Sequence, residues 1–206
     1  MDSTTYKKAY LCGDMLHKAQ FEYRKQQKKE IENIKGINVY NPSSNKDINS
    51  KQTANSFKLA ERIVEQDTTA IEEADIYIID LPTSDAGGRG TITELGQIFQ
   101  MKRQAEITID RLKEVLYINY SDVKGNITDV AETLEDEIKE QQKIIDKPVL
   151  IFSDDIRWNT TDMNDDMDRV PYSFNAYTYG VALYLTNGEG LISWQEVKKR
   201  LKEFGK

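Results

Sequence analysis

The chain has 206 residues with 31% charged and 38% hydrophobic positions, which fits one soluble domain with its own core better than two domains. Its formal net charge of −7 argues against broad binding of nucleic acids or anionic membranes, because both require a basic surface. A single cysteine excludes an intrachain disulfide, and a single histidine argues against Ser-His-Asp, Cys-His and multi-histidine metal sites. Carboxylates are therefore the expected agents of any catalysis.

In the first half of the chain, apolar runs of strand length alternate with patterns of helical spacing. Strands are predicted in "KKAYLCG", "INVYNP" and "DIYIIDLP", and helices in "MLHKAQFEYRKQQKKEIENIKG" and "FKLAERIVEQDTTAIEEA". Gly36 is expected to stop the first helix and Pro42 the second strand. The polar run "SSNKDINSKQTAN" is either a mobile segment beside a substrate or a plain exposed loop, and its lack of periodicity favours the plain loop.

The second half continues the alternation. A helix is predicted from about Thr91, followed by a strand "EVLYINYSD", an acidic helix "VAETLEDEIKEQQKIID" and a strand "KPVLIFSDD". After the polar loop "WNTTDMNDDMDRVPYS", the apolar run "FNAYTYGVALYLTNG" favours helix over strand. The final helix, "SWQEVKKRLKEF", begins with a capping box of Ser193 and Glu196. The acidic residues 164–168 lack the glycine and terminal glutamate of an EF-hand, so no metal site is predicted.

Strands that alternate with helices predict an α/β fold with a doubly wound, flavodoxin- or Rossmann-like sheet of five or six mostly parallel strands. Ligands of such sheets bind outside the carboxyl ends of the strands, at the switch in strand order. That rule directs attention to Gly13 and Asp14 after the first strand, to Leu81 to Gly90 after the third, and to Ser153 and Asp154 after the last. The first residues lack the apolar segment of a secretory signal, and no apolar run is long enough to span a membrane, so a cytoplasmic protein is expected.

The loop "DLPTSDAGGRG" between the third strand and its helix is rich in glycine. It is not a P-loop, since no Gly-Lys-Ser/Thr follows, and it lacks the G-x-G-x-x-G order of a dinucleotide fingerprint. Gly88, Arg89 and Gly90 either form a flexible turn or let the backbone approach a ligand closely.

Glu94 is a stronger candidate for a functional residue than the glycines of this loop. The run Thr91-Ile-Thr-Glu94 fits a capping box. By local pattern alone, a glutamate at this position more often caps the helix or interacts with its dipole than takes part in a site. Its place at the carboxyl end of a central strand favours instead a carboxylate in the ligand crevice. The acidic residues Asp67, Asp80 and Asp85 belong to the same region, and clustered carboxylates divide acid and base roles in glycosyl-transfer chemistry.

Four segments follow one another in a recognisable order: "AYLCGD", "EQDTTAIEEADIYIIDLP", "GRGTITELGQIF" and "NAYTYGV". Together they resemble the nucleoside 2-deoxyribosyltransferase family, whose signature Gly-x-x-x-Glu-Leu-Gly carries a nucleophilic glutamate. Here the signature reads Gly90-Thr-Ile-Thr-Glu94-Leu-Gly96. The resemblance covers residues 8 to 100 closely and the C-terminal part more loosely.

The resemblance implies a role for each matching residue. Glu94 would attack C1′ of a deoxyribose, Asp67 would orient the sugar or the nucleophile, and Tyr10 would hydrogen-bond Glu94. Asp85 best matches the aspartate that assists protonation of the base, although a glycine-arginine insertion places it farther from Glu94 than the family pattern has it. Asn175 would reach the sugar site of a neighbouring subunit.

The remaining implications concern substrate, partners and departures from the family. The expected substrates are a 2′-deoxynucleoside and a free nucleobase, without cofactor or metal, in a homo-oligomer (dimer to hexamer) that shares its sites. Gly13, Asp14, Asp80, Gly88, Arg89 and Gly90 complete the expected substrate-binding set. Tyr177 stands where the family often has methionine, and residues of about 103–146 form an expected insert within a single domain, with an extra strand-helix unit.

Two other functions stay open from the sequence. One is an N-glycosidase that hydrolyses deoxynucleosides or their 5′-monophosphates, in which Arg89 would serve a phosphate. The other is a non-catalytic nucleotide-sensing domain on the same fold, since fold does not determine function.

Overall fold

A computed structural model describes residues 6–49, 58–83, 88–122, 128–155 and 174–206 of the chain. The strands are β1 (Lys7–Cys12), β2 (Ile37–Tyr40), β3 (Ile76–Asp80) and β4 (Val149–Phe152). The helices are α1 (Lys18–Glu32), α2 (Lys46–Asn49), α3 (Leu59–Glu73), α4 (Arg89–Asp122), α5 (Thr128–Asp146), α6 (Ala176–Leu185) and α7 (Trp194–Phe204), with a 3-10 turn at Pro42–Ser44.

The four strands of the described residues form one parallel sheet in the order β2-β1-β3-β4. The α/β class and the doubly wound parallel sheet are therefore confirmed. The strand count is lower than the five or six expected, because one predicted strand is helical. The predicted loop at 158–173 lies outside the described residues.

The predicted loop "SSNKDINSKQTAN" contains the short helix α2. The segment "EVLYINYSD" was wrongly predicted to be a strand. It forms the last part of α4, so the extra strand-helix unit is not present in that form. Its β-branched and aromatic residues resemble a strand locally, but no glycine or proline interrupts the chain between Gly96 and Gly125. A helix that has already nucleated extends through such a run, since each further residue adds a hydrogen bond at little cost. Val115 and Tyr117 are accordingly exposed rather than buried in a sheet.

Alternation along β1 determines which residues face the site. Ala9 and Leu11 belong to a buried cluster with residues of α1 and α7, so they face one side of the sheet. Successive side chains of a strand point to opposite faces. Tyr10 and Cys12 therefore face the other side, where both are completely buried.

The chain divides into two compact units. The first consists of residues 1–96 and 148–206 and contains the sheet, and the second consists of residues 97–147. Within the second unit, buried Lys102 donates to the backbone oxygens of Ile145 and Lys147 at the end of α5, and burial lowers its pKa to about 8. The arrangement of the chain as a single domain with an insert stays a prediction. Among the described residues, no helix has the length and apolarity needed to cross a membrane.

Candidate active site

A cleft of about 380 Å³ lies at the carboxyl edge of the sheet, between the segments that follow β1 and β3. This is the switch point of the strand order, because the chain passes from β2 across β1 to β3. Six of the predicted site residues line the cleft, namely Gly13, Asp14, Gly88, Arg89, Gly90 and Glu94. Met15, Leu16 and Pro42 give it an apolar wall, and the Leu16 side chain is 83% exposed.

The Glu94 carboxylate turns towards β1. Its Oε1 accepts a hydrogen bond of 2.7 Å from the Tyr10 hydroxyl, and the Cys12 thiol lies against Oε2. Because α4 begins at Arg89, Glu94 stands inside the helix, and none of the described hydrogen bonds joins its carboxylate to the helix start. The hydrogen bonds of the Glu94 carboxylate therefore support its interpretation as a residue of the ligand crevice, and they do not support its interpretation as a capping-box glutamate.

Burial raises the pKa of Glu94, and the charge of Asp67 raises it further, while the donors Cys12 and Tyr10 lower it. Burial also raises the pKa of Asp67, against the hydrogen bond from Tyr40. Asp67 lies on α3 and is 8% exposed. Its Oδ1 accepts a 2.8 Å hydrogen bond from the Tyr40 hydroxyl. The structure therefore brings Glu94, Asp67 and Tyr10 together, as the family resemblance implied.

Asp80 lies beneath the cleft rather than in it. Its Oδ2 pairs with the Arg24 guanidinium, its Oδ1 accepts a 2.9 Å bond from the Asp154 N–H, and the residue is 3% exposed. Burial raises the pKa of Asp80 to about 6 against the opposing charge of Arg24, so the pair is ionised at neutral pH. Both carboxylate oxygens are used inside the protein, and this geometry does not support the predicted contact between Asp80 and substrate.

Two glycines at the cleft are required by close approach. A Cβ on Gly13 would lie 2.7 Å from an Arg24 guanidinium nitrogen. Gly88 has a φ of +71°, and a Cβ there would lie 2.7 Å from the Pro82 ring. The backbone at both places therefore borders the cleft without a side chain. Gly90 and Arg89 are exposed in the first turn of α4. Asp85 lies outside the described residues.

Asn175 and Tyr177 do not line the described cleft. Asn175 caps α6, since its Oδ1 accepts from the N–H groups of Tyr177 and Thr178 at 3.0 and 3.2 Å. The side chain of Tyr177 is 77% exposed. Their predicted place in a neighbouring subunit's site stays a prediction.

Several site residues were missed by the sequence analysis. Cys12 and Tyr40 contact the two carboxylates, and Arg24 supports the cleft floor. The strand pattern contained a signal for Cys12, because it lies two residues after Tyr10 and so shares its face. Tyr40 ends β2, the strand that pairs directly with β1. Arg24 lies in a polar helical run and carried no comparable signal.

Among the residues with described positions, no group of three or more His, Cys, Asp or Glu side chains is arranged to hold a metal ion.

The model of one protein family, described as nucleoside 2-deoxyribosyltransferase, matches residues 9–137, which is more than half of the chain. The chain belongs to the nucleoside 2-deoxyribosyltransferase family. The matched range contains four residues of the site, namely Tyr10, Tyr40, Asp67 and Glu94. Membership of this family indicates a function of the nucleoside 2-deoxyribosyltransferase type. The substrates that the family implies are deoxynucleosides and nucleobases.

One solved structure adds to this at the level of the fold. A conserved protein from Enterococcus faecalis V583 is 18% identical and has a TM-score of 0.55, with 97% of this chain and 99% of that one covered. A 2-deoxyribosyltransferase from the psychrotolerant bacterium Bacillus psychrosaccharolyticus is 17% identical with a TM-score of 0.40, over 71% and 72% of the two chains. No curated protein matches the chain.

Proposed function

We propose that the protein transfers 2-deoxyribose between nucleobases by a retaining double displacement through Glu94. In the first step a carboxylate oxygen of Glu94 bonds to C1′, while the C1′–N bond breaks and its electron pair leaves with the base, which takes up a proton. In the second step a nitrogen of another base attacks C1′ and gives up its proton, while the C1′–O bond breaks and its electron pair returns to the Glu94 carboxylate. Two inversions retain the configuration of the sugar.

The observation that carries this proposal is the setting of Glu94. A half-buried carboxylate borders an open cleft, and the Tyr10 hydroxyl and the Cys12 thiol approach one oxygen each from the same face of β1. Two donors fix the plane of the carboxylate and favour its ionised form, as a nucleophile requires. The apolar wall of Met15 and Leu16 suits the flat face of a base.

The other site residues have supporting roles in the proposal. Asp67 orients the sugar or the nucleophile, and its charge beside Glu94 favours the cationic character that C1′ acquires in the transition state. Asp85 assists protonation of the departing base. The substrate contacts the cleft residues Gly13, Asp14, Gly88, Arg89 and Gly90.

Mass spectrometry after brief exposure to a deoxynucleoside tests the proposal. We expect one deoxyribosyl adduct on Glu94, and no adduct or base exchange in Glu94→Ala and Glu94→Gln. Glu65→Gln is the control, because Glu65 is an exposed glutamate of α3. Near-normal exchange in either Glu94 variant would refute the proposal.

Hydrolysis of deoxynucleoside 5′-monophosphates is the second candidate. Arg89, an exposed cation on the wall of the cleft, favours a phosphate there, whereas Asp14 and Glu94 on the same wall disfavour it.

Incubation of one deoxynucleoside, or of its monophosphate, with a different free base separates the reactions. A new nucleoside indicates transfer, and free sugar or sugar phosphate alone indicates hydrolysis. A purely nucleotide-sensing domain would bind ligand and react in neither assay.

A further inference from the structure

Three tyrosines form a row across the sheet beneath the site. Tyr40 of β2 pairs with Tyr10 of β1, and Tyr10 pairs with Tyr77 of β3. Side chains that stand in register on parallel strands share a face. The rings of Tyr10 and Tyr40 are stacked with their centroids 5.6 Å apart and an interplanar angle of 17°.

The hydrogen bonds of Tyr40 have a defined direction. Asn45 Oδ1 accepts from the Asp47 N–H at 3.1 Å, which turns the amide nitrogen of Asn45 towards Tyr40. That nitrogen donates to the Tyr40 oxygen at 3.0 Å and to Gln66 Oε1 at 2.6 Å. Since the phenol oxygen already accepts from Asn45, its proton is available for Asp67 Oδ1 at 2.8 Å.

Tyr40 thus contacts both halves of the candidate site without lining the cleft. Its hydroxyl holds Asp67, and its ring lies against Tyr10, whose hydroxyl holds Glu94. We propose that Tyr40 is a positioning residue that keeps Asp67 oriented and ionised and supports the Tyr10 clamp on Glu94. The inference rests on the proposed function of Glu94 and extends it to a residue outside the cleft.

A dependence on pH follows from the surroundings of Asp67. The groups that act on it are Tyr40 from β2, Tyr10 from β1 and Glu94 from α4. The hydrogen bond from Tyr40 lowers the pKa of Asp67 against the effect of burial. Loss of the hydroxyl therefore allows Asp67 to take up a proton at higher pH.

The test compares Tyr40→Phe with Tyr77→Phe. Both changes remove one hydroxyl from the same row, but the Tyr77 hydroxyl donates to the Ile71 backbone oxygen at 3.1 Å, whereas the Tyr40 hydroxyl donates to Asp67. We expect Tyr40→Phe to lower kcat/KM of base exchange about 10-fold or more, as the loss of a hydrogen bond to a charged group does. The acid limb of its pH profile should move to higher pH. Tyr77→Phe should leave the rate and the profile unchanged.

A double-mutant cycle tests the route of the effect. If Tyr40 acts through Asp67, Tyr40→Phe costs less in an Asp67→Asn background than in the native chain, measured as the rate of adduct formation. Equal rates and profiles for Tyr40→Phe and Tyr77→Phe would overturn the inference, as would a Tyr40→Phe variant that loses only thermal stability. Retained exchange in Glu94→Gln would refute the proposed function instead, so the two failures are distinct.

Discussion

Glu94 combines a negative charge with a position that is largely withdrawn from water, and this combination costs stability. Its pKa in the folded protein is raised above 4.5, the value for the unfolded chain. A group with a raised folded pKa stabilises the fold fully below its unfolded pKa, and that contribution is lost as pH rises through the folded pKa. At neutral pH the ionised side chain is therefore a destabilising feature, as is common at reactive sites.

We expect Glu94→Gln to raise the melting temperature at pH 7 while it abolishes base exchange. Glutamine keeps an acceptor for the Tyr10 hydroxyl and removes the buried charge. The gain should shrink as pH falls, and it should vanish below about 4.5, where the glutamate is protonated in both states. Thermal unfolding at several pH values checks this, with Glu65→Gln as control. A gain that does not change with pH would contradict the explanation.

At the scale of elements, the carboxyl end of β1 depends on α1. Gly13 follows β1 directly, and the guanidinium of Arg24 on α1 fills the space where a side chain would be. Arg24 is 2% exposed and pairs with Asp80 at the end of β3. A buried ion pair of this kind resists displacement, since separation of the two charges leaves each without compensation.

Gly13→Ala should therefore destabilise the protein by about 1–3 kcal/mol, the usual cost of forcing extra atoms into a packed interior. For a chain of this size that corresponds to about 2–4 °C in melting temperature per kcal/mol. Gly96→Ala on α4 is the matched control. A Cβ at Gly96 meets no described atom within 4 Å, and alanine in a helix is favoured over glycine by about 1 kcal/mol. Equal melting temperatures for the two variants would refute the role given to Arg24.

At the scale of the whole molecule, the shared-site arrangement implied by the family stays a prediction that one experiment addresses. Asn175 is exposed and caps α6, so its replacement must preserve the cap. Asn175→Ser keeps an acceptor for the helix N–H groups and withdraws the amide. If Asn175 completes a neighbour's site, Asn175→Ser alone loses base exchange.

Mixed oligomers of Asn175→Ser with Glu94→Ala should then regain activity that neither variant has alone, because some sites combine the intact residue of each. Co-expression with two different tags, followed by base-exchange assays on the doubly purified species, measures this. Absence of activity in proven mixed oligomers would exclude the shared site.

The sequence predicted most of the fold because strand and helix periodicity agreed with tertiary structure in most elements. It failed at residues 114–122, where strand-like composition was overridden by an uninterrupted helix. For the site, motif order brought Glu94, Asp67 and Tyr10 to attention. Tyr40 and Arg24 were not predicted. The contacts of Tyr40 depend on strand register, and those of Arg24 depend on the packing of a helix against a strand end. A local sequence pattern indicates neither.

Cys12 has one more consequence for experiment. It is the one cysteine of the chain, and it lies fully buried directly behind Glu94. Burial raises the pKa of its thiol, so the native residue is doubly protected from modification. A thiol reagent can reach it only in molecules whose site has transiently opened. The rate at which a thiol reagent labels Cys12 therefore measures how often the site opens. A bound deoxynucleoside should slow this labelling.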